Sequence, residues 1–255
     1  MAGAANVVMQ LARPGVGYGV VESSVDSGNL FLHPFKRART TFTYLAVATS
    51  GTAQDKRVYR RAVDRAHARV RSTERSPVRY NAFDPELQLW VAACLYKGFE
   101  DAFEALSGSR LSDAQREAAY AGAAPLGTTL QVRPESWPAS RAEFGRYWQS
   151  QLEHVRVDEP VREHLMAVVE LRFLPAVLRV PLARPNRFVT TGFLPPVFRE
   201  QMRLPWTERD QRRFDRFTRA VGAVALRLPG PLRRFPFNAF LRDFRWRVRT
   251  GRRLV

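Results

Sequence analysis

Apolar positions recur along most of this chain at intervals of three and four residues, and strict alternation is scarce, so helices dominate the reading. The first begins almost at the start, over residues 4–12. Two more, over residues 34–50 and 53–72, are separated by Gly51, and so short a turn makes them antiparallel. Asp84-Pro85-Glu86 is a strong helix start, with Asp as N-cap, Pro at the first helical position and an acid in the first turn. That helix is expected to run to Leu106 and stop at Ser107-Gly108. Ser112-Asp113-Ala114-Gln115 has capping-box spacing and opens another. Pro160 or Val161 begins one that ends near Pro175, and Thr207-Glu208-Arg209-Asp210 begins one that reaches Arg227. Residues 133–140 and 181–196 are rich in proline and polar positions and read as loops. Neither marks a domain boundary, because the flanking helices lack separate cores. With no repeat and no low-complexity tract, residues 1–255 read as one all-α domain, a helical bundle closed by a basic, aromatic segment at 235–255.

Composition sharpens this picture in two places. An apolar fraction of 45% suffices for a sizeable core, whereas a net charge of +17 points to anionic partners or surfaces. Arginine supplies nearly all of it, since lysine stands only at positions 36, 56 and 97. Cys94 is the single cysteine and lies in an apolar helical run, where it reads as a small buried hydrophobe. Without disulfides the chain suits a reducing compartment, so a cytoplasmic placement, peripheral to a membrane or free of it, is expected. No apolar run reaches the roughly 18 residues a span requires. The best stretch, 165–182, is broken by Glu170, Arg172, Pro175 and Arg179. No basic region precedes the apolar start, so a secretory leader is not expected.

Three readings compete at the C-terminus, where Phe235, Phe237, Phe240, Phe244 and Trp246 interleave with arginines. A terminal helix could pack Phe240, Leu241, Phe244 and Val248 on the core. The same stretch could lie in an anionic membrane interface. Nucleic-acid binding ranks last, because no recognised module accompanies the charge.

The candidate chemistry centres on the 34–72 hairpin. Counting outward from Gly51 sets residues 36 and 37 level with His67, and Thr40 about 6 Å along the axis. Lys36, Arg39, Thr40 and His67 therefore share one neighbourhood. His67 borders an apolar stripe of Tyr59, Val63, Ala66 and Val70, a setting in which a histidine is more often a satisfied core residue than a ligand. His33 precedes Pro34 as a helix-entry residue. His154 and His164 stand among acids without a recognised metal spacing and read as a solvated face.

Several phrases in register give this hairpin a further meaning. They are Lys36-Arg37-Ala38-Arg39-Thr40, Ala66-His67-Ala68-Arg69-Val70, the segment Asn81-Ala82-Phe83-Asp84-Pro85 with its continuation to Val91, Thr191-Gly192-Phe193-Leu194-Pro195-Pro196, and Leu204-Pro205-Trp206-Thr207. Together, from about Gln10 to about Pro236, the chain resembles the MpaB/rubber oxygenase (latex-clearing protein) family of haem b oxygenases. The resemblance implies an all-α fold of the rubber oxygenase type with a haem pocket between helices. It implies an oxygenase that uses dioxygen on an apolar, polyisoprenoid-like or otherwise unsaturated substrate. His67 matches the axial ligand of the haem iron. Lys36, Arg39 and Thr40 match a basic-x-x-basic-Thr segment over the open haem face, where lysine is usual at position 39. Arginine cannot give up its proton, so an electrostatic or propionate-pairing role is expected there. Glu22 lies in the region of a carboxylate base, either poised for proton transfer or simply a helix-end carboxylate at the surface. Relatives often carry histidine where this chain has Arg13, Ser23 and Ala92, and they carry further helical sequence upstream. The alternative within the same fold is a non-catalytic haem- or lipid-binding protein that docks on membranes through its basic surface.

Overall fold

The structure is a computed structural model that describes residues 2–23, 25, 28–109 and 111–255. In chain order the helices are α1 (Gly3–Leu11), α2 (Pro14–Val21), α3 (Pro34–Ser50), α4 (Ala53–His67), α5 (Pro85–Ser107), α6 (Asp113–Ala121) and α7 (Pro125–Thr128). They continue as α8 (Arg141–Leu152), α9 (Glu159–Val169), α10 (Ala176–Phe193), α11 (Pro196–Gln201), α12 (Glu208–Arg227), α13 (Gly230–Arg233) and α14 (Phe237–Arg249). Among the described residues there is no strand, only an isolated antiparallel bridge between Arg71 and Asn81. The all-α expectation holds.

The core is built around α5. The Asp84 carboxylate accepts from the Glu86 and Leu87 amides at the start of the helix, and Gly108, at φ 68°, closes it in the left-handed region that favours glycine. Trp90 is fully buried and donates to the Gln10 carbonyl of α1 at 3.0 Å, while Asn6 of α1 donates to the Cys94 carbonyl at 2.6 Å. Cys94 is buried here as a small apolar residue, and desolvation pushes its thiol pKa up. A stack of Trp90, Trp148, Phe144 and Phe198 ties α5 to α8 and α11. Beside it the buried Glu100 carboxylate takes a two-pronged contact from Arg141, at 2.7 and 2.8 Å, and a hydroxyl from Tyr96 at 2.9 Å. Such a pair stays ionised because Arg141 offsets the desolvation. On the other side α12 crosses α5 at Gly222, where a Cβ would meet the Leu106 carbonyl oxygen at 1.6 Å.

A smaller cluster of Val47, Tyr59, Val63 and Phe244 holds the α3–α4 hairpin against α14. Gly51 is required at its turn, since a Cβ there would lie 2.5 Å from the Val47 carbonyl. Thr52 and Asp55 form a capping box for α4, and Arg245 of α14 grips the same Asp55 carboxylate at 2.9 Å. Phe244 is buried, Phe240 stacks on Phe42 at 5.2 Å between centroids and Leu241 is half-buried. The C-terminal segment is thus a terminal helix packed through Phe240, Leu241 and Phe244, whereas Val248, expected on the same face, is exposed. Burial of Phe244 alone contributes about 1.5–3 kcal/mol.

Two expectations are corrected. Residues 181–196 are mostly helix, with Pro181 and Pro185 inside α10 rather than in a loop. Proline lacks the amide and disfavours helix, yet here the residues around both prolines are exposed, so the unpaired carbonyls can reach solvent. The second hairpin helix stops at His67 instead of continuing to residue 72. There the chain folds back on itself, with the Ser72 amide donating to the Tyr80 carbonyl at 2.8 Å and the Ala82 amide to the Val70 carbonyl at 2.9 Å. Residues 133–140 do lack an α-helix, holding only a 3-10 turn at Pro134–Ser136.

Asp55 provides a test of this clamp. Burial would raise its pKa, but the bonds from Arg245 and Thr52 outweigh that and hold it below the usual 3.8. With the folded value below the unfolded one, the stabilisation is complete above the unfolded pKa and fades as pH falls through the folded one. Asp55→Ala should cost about 1–2 kcal/mol in urea unfolding at pH 7. The deficit should shrink toward pH 3; a pH-independent deficit would mean the carboxylate charge contributes nothing.

Candidate functional site

The site grows from the end of α4. As the last residue of that helix, His67 meets three surroundings at once: the facing helix α3, the folded-back segment 68–84 and the loop after α7. Phe83 presents its ring edge-on at 6.2 Å between centroids. The Nδ1 atom of His67 is buried and has no hydrogen-bond partner. Burial lowers the imidazole pKa below its usual 6.5, and the Arg37 cation on α3 lowers it further, against opposing pulls from Gln131 and Asp64. The ring is therefore neutral at neutral pH, with a nitrogen that nothing in the protein claims.

Around it runs a polar chain that sequence reasoning missed. Gln88 of α5 donates to the Ala82 carbonyl at 2.6 Å and to the Gln131 Oε1 at 2.7 Å, and Gln131 in turn donates to the Asp64 carboxylate. Gln131 is thereby held between Asp64 and Gln88, beside the imidazole on which it also acts. Gln88 Oε1 is itself buried without a partner. Buried polar atoms without a partner are uncommon in a folded interior. Asp64 could have been found in the sequence, one turn before His67 on the same helix. Gln88 lies within the phrase that continues to Val91. Gln131 carries no sequence signal, because it arrives from an irregular segment.

On α3 the residue whose charge acts on the imidazole is Arg37, one of the two that the count from Gly51 sets level with His67. Lys36 and Arg39 turn toward the C-terminal segment. Burial first, then the Arg39 and Arg253 cations, lowers the Lys36 pKa from its usual 10.5. Arg39 feels burial first, then Arg247, against Asp243 and Tyr59. The Thr40 hydroxyl donates to the Lys36 carbonyl at 3.0 Å, and its own carbonyl accepts from the Tyr59 hydroxyl at 2.7 Å. Glu22 is an exposed carboxylate at the C-cap of α2, receiving Ser76 at 2.7 Å and Tyr80 at 2.8 Å. It braces segment 68–84 and has no direct contact with His67.

The remaining candidates lie apart. Arg13 caps the start of α2, donating to Gln151 at 2.9 Å, with Glu86 3.8 Å away. The Ser23 hydroxyl accepts the Val25 amide, and Ala92 is buried on α5 one turn beyond Gln88. His154 reaches the Ser150 carbonyl, and His164 is edge-on to Phe31 at 5.2 Å. No group of three or more metal-ligating side chains stands together among the described residues. An open groove of about 860 Å³ runs along Lys97, Arg141, Arg146 and Pro195, on other residues than those around His67. The later sequence phrases are structural. Arg199 donates to the Thr191 carbonyl at 2.9 Å and stacks over Trp206, while Gly192 makes room for Phe214.

The family model described as ER-bound oxygenase mpaB/B'/Rubber oxygenase, catalytic domain, matches residues 1–223. An uncharacterised protein of Mycobacterium bovis is 54% identical over 252 residues, 99% of this chain and 98% of its own length. An uncharacterised protein of Mycobacterium tuberculosis matches with the same identity and coverage. No solved structure matches the chain. The matched segment ends within α12, so α14 lies outside it.

The electrostatics of His67 can be read directly. An NMR titration of the imidazole should show a midpoint below 6.5, with the ring charging only as pH falls. Arg37→Gln should move that midpoint up and Gln131→Ala should move it down, since each removes one opposing influence. An unmoved midpoint in both variants would detach His67 from this surround.

Proposed function

The chain belongs to the family of mpaB and rubber oxygenase catalytic domains, and on that premise we propose that it is a haem b-dependent oxygenase using dioxygen on an apolar, unsaturated substrate of the isoprenoid kind. The observation that carries the haem is the buried, unclaimed nitrogen of a neutral His67. A neutral imidazole with a free lone pair is what a haem iron would need from the protein. Cations close by on α3 suit the propionates of a haem, and Phe83 and Val70 suit its apolar ring.

Bound haem b would supply the oxygen chemistry, which no side chain here provides. The chain's own residues bind and orient. His67 offers its nitrogen, and the Asp64–Gln131–Gln88 chain sets the surroundings of the ring. Arg37 is the cation best placed for a carboxylate beside His67. Lys36 and Arg39 form a second basic pair, and Arg39 acts as a fixed charge because it does not release its proton. Thr40 would offer its hydroxyl to a ligand only by releasing the Lys36 carbonyl. Glu22 is assigned to bracing the segment that carries Phe83, through Ser76 and Tyr80.

One observation favours a second reading, a haem- or lipid-binding protein without turnover. The Thr40 hydroxyl is engaged within its own helix, on the Lys36 carbonyl. Oxygen uptake with an alkene substrate separates the two.

Purified protein should bind about one haem b per chain, read as a Soret band. His67→Ala should lose most of it while keeping the helical circular dichroism. Full haem occupancy in that variant would overturn the ligand assignment. Thr40→Ala should keep haem near the wild-type level and change oxygen affinity or turnover. If haem falls in proportion to activity, Thr40 is structural.

A further inference from the structure

The first half of α10 stands out from the body of the molecule. Val177 is 85% exposed and Val180 72%, with Leu178 and Leu182 also open to solvent. At about 100° per residue, Val177, Leu178, Pro181, Leu182 and Pro185 fall on one face of the helix, while Arg179 and Arg187 fall on the other. An exposed apolar helix face with no described residue packed on it is an uncommon kind of surface. Its foot is flanked by more apolar surface. Phe31 packs edge-on against Phe173 at 6.4 Å, and next to Phe31 the start of α3 carries Leu32 and an 84% exposed Phe35.

The charge on the arm selects the occupant. Residues 171–199 contain no Asp or Glu, but they include Arg172, Arg179, Arg184 and Arg187. These four arginines line an open groove of about 450 Å³ on the arm's opposite side, together with Val180 and Ala183. Glu170 also borders that groove, and it is paired with Arg172 at 2.7 Å. A second copy of this chain seated on the arm would bring like charges together, whereas a phosphate headgroup would meet complementary ones. Pro181 and Pro185 withhold amides that would otherwise cap the carbonyls of Val177 and Pro181. Bare carbonyls need water or headgroups, which are present at a bilayer surface and absent from its interior. No helix among the described residues is long and apolar enough to cross a membrane.

We propose that the N-terminal half of α10, with Leu32 and Phe35 beside it, is an interfacial docking arm that inserts its apolar face into an anionic lipid bilayer and holds headgroup phosphates in the arginine groove behind it. The arm is built from other residues than those around His67. Docking is read without haem, so its failure and the failure of the haem reading are separable.

The test is vesicle sedimentation of the full chain with phosphatidylcholine alone and with added phosphatidylglycerol, at low and high salt. Wild-type protein should sediment with the anionic vesicles and release as salt rises. Val177→Glu with Leu178→Glu should weaken that binding about tenfold or more, with circular dichroism unchanged because both positions are exposed. Arg184→Ser with Arg187→Ser should weaken binding to the anionic vesicles and leave the phosphatidylcholine baseline unaltered. Equal binding by the glutamate variant, or no vesicle binding by wild type, would overturn the proposal. So would wild-type self-association in sedimentation velocity that the glutamate variant abolishes, since the arm would then be a contact between copies.

Discussion

Gly51 sits where any side chain would meet the Val47 carbonyl, and that close approach lets α3 turn directly into α4. Thr52 and Asp55 cap the returning helix, and the Tyr59 hydroxyl locks it to the Thr40 carbonyl. From these contacts follows the register that sets Arg37 against His67. Shift that register by one residue and the imidazole would rotate by about 100° away from its partners on α3. Everything argued about the site depends on this turn. The desolvation of His67, its neutrality and its unclaimed nitrogen are properties of a helix end held in one place.

The clamp on this hairpin comes from an unexpected direction. α14 lies outside the matched family segment, yet it supplies Phe244 to the hairpin cluster and Arg245 to Asp55. It also takes the attention of Lys36 and Arg39, which feel Arg253, Arg247 and Asp243 rather than His67. A resemblance that places three residues over an open face assumes that this face stays open. Here Lys36 and Arg39 lie toward the terminal helix and the residues after it, and the arginines left outward on α14 remain as surface charge.

Much of the fold was legible because it rests on local rules. The spans of α3 and α12, the caps at Asp84, Ser112 and Thr207, and the antiparallel hairpin all follow from turn and capping chemistry. The errors came where tertiary context overrode a local rule. Pro181 and Pro185 argue against a helix, and α10 forms nevertheless because its exposed half can leave carbonyls to solvent. Residues 68–72 read as a continuing helix, but the pairing of Arg71 with Asn81 turns the chain back. At the site, His67 and its level on the hairpin were visible from spacing and resemblance. Gln131 was not, because its position depends on how an irregular segment packs, and Arg37 was hidden beside two more suggestive neighbours.

The central claim is that His67 supplies the nitrogen that holds a haem. His67→Gly leaves a gap the size of an imidazole at the end of α4, and free imidazole can be added back to fill it. The account predicts that the purified glycine variant loses its Soret band and that millimolar imidazole restores haem retention, whereas imidazole does nothing for wild type. A glycine variant that keeps its haem unaided, or one that imidazole never restores while its helices remain intact, would contradict it.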